Sequence, residues 1–143
     1  MSQMGKPYDE SSDASSSGAG TSFATEQSQI DFELEFFAGV LQREPTYIDV
    51  LRQMSKLLTL KGRYEEGLRI DRRLVQLCAD DSLAHYNLAC RYARLKRPEE
   101  CLQALRRAID LGYGDFRYML EDRDLDSIRH DPRFLEMIQD YLD

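Results

Sequence analysis

Apolar residues recur every three or four positions in the middle of the chain. Leu51, Met54 and Leu58 follow this spacing, a polar step at residues 61–63 interrupts it, and it resumes at Leu68. Side chains three or four residues apart share one face of an α-helix, and a glycine between charged residues is a turn signal. The pattern therefore predicts two amphipathic helices joined by a short turn.

The same pattern returns 34 positions later. When residues 48–78 are slid onto residues 82–112, seven of 31 pairs are identical. The identical pairs are Arg63/Arg97, Glu65/Glu99, Glu66/Glu100, Leu68/Leu102, Arg72/Arg106, Arg73/Arg107 and Leu77/Leu111. A period of about 34 residues is that of a two-helix repeat unit. We therefore predict two helical hairpins, at residues 46–79 and 80–113.

Two local signals mark where the helices of the second hairpin begin. Pro98 follows the turn, and proline is tolerated in the first turn of a helix because its missing N–H has no intrahelical partner there. Asp81 or Ser82 is suited to cap the N-terminus of the first helix of this hairpin. Since one hairpin cannot bury its apolar face alone, the two must stack. We predict an all-α fold in which antiparallel helical hairpins stack as a short solenoid.

The regions on either side of the hairpins differ from them in composition. Residues 1–29 are rich in serine, and such a stretch buries too little apolar surface to offset the entropy lost on ordering. We therefore predict a disordered arm at residues 1–29 and a helical domain at residues 30–143. Within that domain the pattern predicts a capping helix at residues 30–44 and a C-terminal cap at residues 114–143.

The second hairpin carries a characteristic order of residues. In the stretch LAHYNLACRYARLKRPEECLQALRRAIDLGY, Leu88 and Ala89 form a pair near the start, Tyr92 follows, and the small residues Cys101 and Ala108 come later. This order resembles the tetratricopeptide repeat, a two-helix unit. The tail, with its Asp-Pro-Arg-Phe step, resembles the ending of short bacterial arrays of this family, in which a degenerate unit closes the stack. A departure from the family pattern is Asp71, which stands where a large apolar residue is usual.

The resemblance implies that the first helix of each hairpin lines a concave groove holding a protein or peptide. Some family members grip a C-terminal carboxylate with a clamp that, laid onto this chain, falls on Arg52, Lys56, Asn87, Arg117 and Glu121. Glu121 would repel a carboxylate, so the resemblance favours a related site for an extended or acidic segment. The partner-binding residues implied in this way are Arg52, Lys56, Tyr86, Asn87, Cys90 and Arg94.

The charge distribution agrees with an acidic partner. The net charge of −7 divides into −6 for residues 1–42, +4 for residues 43–110 and −5 for residues 111–143. The basic middle attracts acidic groups, although ordinary solvated helix faces give the same pattern. The chain's own acidic arm also suits the basic middle, which leaves autoinhibition as an alternative. A second alternative is a structural, self-associating repeat protein. The sequence leaves the oligomeric state open, with a monomer favoured.

Metal-binding residues are sparse. Asp122, Asp124 and Asp126 alternate as in a calcium loop, but the glycine and the closing glutamate of such a loop are missing. His85 and His130 have no further ligands at metal spacing. We therefore expect neither a metal site nor a cofactor.

Catalysis and nucleic-acid binding are not favoured either. The one enzymatic route is a reactive Cys90 activated by Arg91 or Arg94, because a neighbouring cation favours the thiolate. Nucleic-acid binding usually requires a basic domain, whereas this chain has a pI near 4.9. We therefore expect a non-catalytic adaptor whose partner is another protein or peptide, without nucleic acid.

The cellular location follows from cysteine usage and from the apolar runs. The three cysteines are odd in number and form no CxxC pair, which is typical of reduced thiols in the cytosol. The sequence has neither the apolar run of a signal peptide nor that of a membrane span. We therefore predict a cytoplasmic protein that makes no membrane contact.

Overall fold

The computed structural model describes the backbone of residues 19–142 and the side chains from residue 24 to residue 142. Its α-helices are α1 (Ala19–Arg43), α2 (Ile48–Leu60), α3 (Tyr64–Leu77), α4 (Ser82–Arg94), α5 (Pro98–Asp110), α6 (Phe116–Glu121) and α7 (Pro132–Ile138). Within residues 19–142, 3₁₀ helices lie at Arg123–Ile128 and Gln139–Tyr141. Residues 19–142 form no β-strand. Each helix from α1 to α4 packs against the next along the chain, which confirms the predicted all-α class of stacked hairpins.

The period of 34 residues extends through the C-terminal cap. Helix α4 begins 34 positions after α2, and α6 begins 34 positions after α4. In the third unit the first helix is broken at Asp122, whose backbone is extended and whose carboxylate accepts a hydrogen bond from the Asp124 N–H. Pro132 then begins α7 as Pro98 begins α5. The cap is therefore a degenerate third hairpin.

The predicted helix-start signals are confirmed. The Asp81 carboxylate caps α4 by accepting hydrogen bonds from two backbone N–H groups of its first turn. Pro98 lies in the first turn of α5. The turns between paired helices use a left-handed residue at the same repeat position, Gly62 with φ 72° and Lys96 with φ 60°. Lysine rarely adopts this conformation, so the second turn is the more strained one.

Apolar side chains form two clusters. The smaller joins α1, α2 and α3 around Leu34, Met54 and Leu58. The larger joins α4, α5 and the cap, where Phe134 and Ile138 are fully buried. The cap is therefore an integral part of the larger core.

Helix α1 begins before the capping helix that the pattern predicts. Residues 19–29, which fall in the predicted arm, are helical up to the predicted start at residue 30. Each residue added to an existing helix gains a hydrogen bond at little further cost, and Glu26 and Gln27 are good helix formers. The packed Leu34 anchors the helix, and most side chains between residues 24 and 29 are exposed. The rest of the predicted arm, residues 1–18, lies outside the described part of the chain.

Candidate partner-binding site

Helix α2 presents a row of side chains on its outer face. Arg52, Lys56 and Leu60 are spaced four residues apart and are all exposed, so they lie along one side of the helix. The Arg52 guanidinium lies 3.3 Å from the Asp81 carboxylate, which also caps α4. Within residues 24–142 the Lys56 ammonium has no ion-pair partner. We call Arg52, Lys56 and Leu60 the α2 row.

The predicted site residues on α4 divide into exposed and buried ones. Asn87 is exposed. Tyr86 and Cys90 retain only 3% and 7% of their accessible surface. The Tyr86 hydroxyl donates a hydrogen bond of 2.6 Å to the Asp122 carboxylate, and its ring stacks on Tyr113 with centroids 4.3 Å apart. Tyr86 therefore offers no contact area to a partner in this conformation.

Arg94, the last predicted site residue, contacts the C-terminal segment that also holds Asp122. Its Nε donates a hydrogen bond of 2.8 Å to the Asp124 carboxylate. Cys90 Sγ lies 3.8 Å from Asp122 Oδ2. The α4 side chains that were predicted to hold an acidic segment of a partner thus contact an acidic segment of this chain, residues 122–124. Of the predicted set, Lys56 and Asn87 remain open to a partner, and Arg52 is exposed but paired with Asp81.

The Cys90 thiol does not have the environment of a nucleophile. Burial raises its pKa well above the ordinary value for cysteine, and the neighbouring Asp122 carboxylate raises it further. The two arginines that would activate it are directed elsewhere, Arg91 to Asp71 and Arg94 to Asp124. A thiol kept protonated and covered reacts slowly, so this environment does not support the reactive Cys90 that was weighed from the sequence and not favoured.

A buried polar network joins the first two hairpins, and the sequence reasoning missed it. The Arg91 guanidinium donates to Asp71 at 2.8 Å, to Thr59 Oγ1 at 2.8 Å and to Ser55 Oγ at 3.0 Å. Ser55 Oγ in turn donates to Asp71 at 2.6 Å. Burial raises the pKa of the Asp71 carboxyl, and Arg91 opposes that rise. One arginine of α4 therefore contacts both helices of the preceding hairpin.

A signal for this network was present in the sequence. Asp71 and Arg91 occupy positions whose repeat equivalents, Leu105 and Leu57, are leucines. Two charges of opposite sign at apolar repeat positions indicate a buried pair, since an unpaired charge in a core is costly. Gly67 completes the arrangement, because a Cβ atom there would lie 2.6 Å from Arg91 Nη1.

Three potential metal ligands approach one another beneath the cap. Ligand atoms of Cys90, Asp122 and Asp124 lie within 4.8 Å of one another. Both carboxylates already accept hydrogen bonds, Asp122 from Tyr86 and Asp124 from Arg94. The grouping therefore serves to fasten the cap onto α4.

Comparison with known proteins supports the resemblance seen in the sequence. Residues 82–115, which hold α4 and α5, match the tetratricopeptide repeat family. The chain carries a tetratricopeptide repeat. The residues that marked it, among them Leu88, Tyr92 and Ala108, are buried in the repeat hairpin. The family resemblance is thus confirmed, and the tetratricopeptide repeat indicates a module for contacts with other proteins.

A curated relative covers more of the chain than this repeat. Over 83 residues the chain is 34% identical to a protein of Arabidopsis thaliana whose name describes it as chloroplastic. The match includes 56% of this chain and 25% of the relative, so the chain spans about a quarter of that protein. No helix within residues 19–142 has both the length and the apolarity of a bilayer span.

Proposed function

We propose that this protein is a non-catalytic adaptor that holds an extended, acidic peptide segment of another protein against the α2 row and Asn87. The observation that carries the proposal is the α2 row on one side of the helix, in which the exposed Lys56 has no ion-pair partner in the described part of the chain. Arg52 lies one turn before it and Leu60 one turn after it. A row of two cations and one apolar group suits a segment with carboxylates beside an apolar residue.

The chain's own contacts supply a template for the recognition chemistry. Asp122 and Asp124 fasten residues 122–124 to α4 through a tyrosine hydroxyl and a guanidinium. The equivalent repeat positions on α2, 34 residues earlier, are Arg52 for Tyr86, Lys56 for Cys90 and Leu60 for Arg94. An acidic segment lying along α2 would therefore follow the path that residues 122–124 follow on α4, although the cations stand at different repeat positions.

Selection from a random peptide library tests this function. The full chain is the bait, and the selected peptides should be enriched in aspartate and glutamate. Their affinity is then measured by fluorescence anisotropy against three proteins: the parent, Lys56→Glu, and the double variant Arg106→Glu, Arg107→Glu. Arg106 and Arg107 are exposed on α5, so they control for loss of positive charge away from the α2 row.

The expected result is a loss of about tenfold or more for Lys56→Glu and little change for the α5 control, since reversing a charge opposite a carboxylate replaces attraction by repulsion. Equal losses of affinity in both variants would mean that the peptides respond to the overall positive charge and not to the α2 row. Selected peptides without acidic enrichment would contradict the proposal directly. Circular dichroism must first show that each variant keeps the parent's helicity.

Two further expectations remain proposals. The alternative of a self-associating structural protein predicts a concentration-dependent sedimentation coefficient, whereas an adaptor of this kind sediments as a monomer. Cytoplasmic location agrees with the three free thiols and a reducing compartment. The name of the Arabidopsis relative makes the chloroplast a second candidate. Imaging of the tagged full-length protein distinguishes the two compartments.

A further inference from the structure

Helix α1 has two apolar faces, and one of them is uncovered in the described part of the chain. Leu34, Val40 and Leu41 pack towards α2 and α3. Phe32 and Phe36 are directed away from that cluster and retain 65% and 59% of their accessible surface. The two side chains lie one turn apart on the same face. Large exposed aromatic groups placed together mark interaction sites more often than isolated ones do.

The repeat explains which contact this face lacks. Residues 36, 70 and 104 are equivalent, because each is 34 positions after the last. Ile70 packs against the cluster that contains α1, and Ala104 is buried in the larger core. At this position α5 is therefore covered and α3 partly covered, whereas Phe36 of α1 is exposed. The uncovered face is the stacking face of the array, continuous with the packing that joins its hairpins.

The geometry of stacking identifies the shape of the missing occupant. In this chain each stacking face is covered by a helix, and helices pack through rows of side chains spaced three and four residues apart. Phe32 and Phe36 supply such a row, and Phe36 makes an edge contact with Phe37 at 5.6 Å. Gly39, one turn further on, leaves open space beside the row. The occupant that fits is a helix with an apolar stripe.

The charge around the row identifies the chemistry of that helix. Helix α1 has one basic residue, Arg43 at its C-terminal end, and its acidic residues are Glu26, Asp31, Glu33 and Glu35. Asp31 pairs with Lys61 and Glu33 accepts from the Gln29 amide, whereas Glu35 has no partner within residues 24–142. Basic residues beside the apolar stripe of the occupant would complement these carboxylates.

The same charges argue against two other occupants. A second copy of the chain would bring the α1 carboxylates of both copies together, and like charges across an interface are unfavourable. Residues 1–18 carry three acidic residues and one lysine, so they face the same repulsion. We propose that the Phe32–Phe36 face of α1 docks an amphipathic helix of another protein, with lysine or arginine flanking its apolar stripe.

A pair of designed peptides tests this surface on the full chain. Both are amphipathic helices with the same leucine stripe, one flanked by lysines and the other by glutamates. Binding is measured by isothermal titration calorimetry to the parent and to Phe32→Ser, Phe36→Ser. The control, Tyr47→Ser, Leu60→Ser, removes two half-exposed apolar side chains outside α1 and also alters the α2 row.

The lysine peptide should bind the parent, lose affinity about tenfold or more with the phenylalanine variant, and bind the control like the parent. A charge-reversed variant that keeps both phenylalanines, Glu33→Lys, Glu35→Lys, should exchange the preference from the lysine peptide to the glutamate peptide. Failure of the lysine peptide to bind the parent overturns the proposal, as does equal loss in the control. A parent that sediments as a dimer, with a monomeric phenylalanine variant, would assign the face to self-association instead.

Discussion

Two junctions hold this array together, and each contains one buried carboxylate. Asp71 lies between the first and second hairpins, and Asp122 lies between the second hairpin and the cap. Their exposed fractions are 2% and 5%. Asp71 accepts from the Arg91 guanidinium, whereas Asp122 accepts from the Tyr86 hydroxyl and from a backbone N–H. The buried carboxylate of the first junction therefore faces a buried cation, whereas that of the second junction faces neutral donors, and the ion pair there, between Arg94 and Asp124, is partly exposed.

This difference shows how a repeat array accommodates polar groups in its core. Arg91 reaches both helices of the preceding hairpin, so it fixes their relative position through several directional bonds. Asp122 instead combines two local tasks, capping a 3₁₀ helix and fastening the cap to α4. Removing a partner from a buried ion pair leaves an uncompensated charge, whereas removing one neutral donor leaves a carboxylate that still has another donor. The first junction should therefore be the more sensitive one.

The largest effect is expected when the ion pair is broken from one side. Arg91→Leu or Asp71→Leu alone should lower the free energy of unfolding by about 3–5 kcal/mol, because each leaves its partner charged and buried. The double variant Asp71→Leu, Arg91→Leu should recover most of that loss, because leucine occupies the equivalent positions 57 and 105. Urea denaturation followed by circular dichroism measures all three.

A double variant as unstable as the single ones would contradict this view of the junction. The loss of stability would then arise from packing at the interface of α3 and α4, because removing the second charge would not have restored stability. The slopes of the urea transitions serve as the control, because a changed slope signals a change in compactness or in two-state behaviour.

A smaller loss is expected at the second junction. Tyr86→Phe removes the hydroxyl that donates to Asp122 while keeping the ring stacked on Tyr113, so unfolding should become easier by about 1–3 kcal/mol. Tyr141→Phe is the matched control, because Tyr141 is half exposed and stacks on Phe116. It should change stability by about 0.5 kcal/mol or less. A loss at Tyr86 equal to that at Arg91 would remove the distinction between the junctions.

The effect of alanine at Gly67 is expected to depend on whether Arg91 is present. In the parent, Gly67→Ala should destabilise by about 1–2 kcal/mol, because the new methyl group displaces a guanidinium held by several hydrogen bonds. In the Asp71→Leu, Arg91→Leu background that guanidinium is gone, so alanine should lose less than in the parent or stabilise by up to about 1 kcal/mol through its helix propensity. Gly39→Ala, made in open space on α1, is the control and should stabilise in both backgrounds. Equal effects of Gly67→Ala in the two backgrounds would show that the Arg91 guanidinium is not the cause of the loss.

The parts of this molecule that the sequence predicts are those governed by local rules. Helix periodicity, the Asp81 cap and Pro98 in a first turn each depend on a few neighbouring residues, and the structure confirms them. The 34-residue period then carries the assignment from one hairpin to the next. Burial of Tyr86 and Cys90 depends instead on where residues 122–128 fold, 32 or more positions further along, and no local pattern contains that information.

The Asp71–Arg91 pair lies between these two cases. Each residue departs from the repeat, but from the sequence alone only Asp71 was recognised as a departure. Pairing them requires knowing that α4 crosses both α2 and α3, because the two residues are 20 positions apart on different helices. Complementary departures at apolar repeat positions are thus a usable signal for buried pairs in other repeat arrays.

The smallest perturbation that distinguishes the junctions is chemical labelling of the thiols. Cys78 is half buried, whereas Cys90 and Cys101 are buried, and burial raises the pKa of Cys101 to about 12. At mildly alkaline pH a disulfide reagent should therefore modify one thiol quickly in the native protein, and Cys78→Ser should abolish that fast phase. In denaturant all three should react.

The labelling rate of Cys90 should differ between the variants at the two junctions. Tyr86→Phe loosens the cap directly above Cys90, so Cys90 should react faster than in the parent, since labelling follows local opening. The Asp71→Leu, Arg91→Leu variant leaves the cap contacts in place, and its Cys90 should react at the parent's rate once global unfolding is subtracted. Peptide mass mapping assigns each label to its cysteine. Faster labelling of Cys90 in both variants would mean that the junctions open together, and that the array unfolds as one cooperative body.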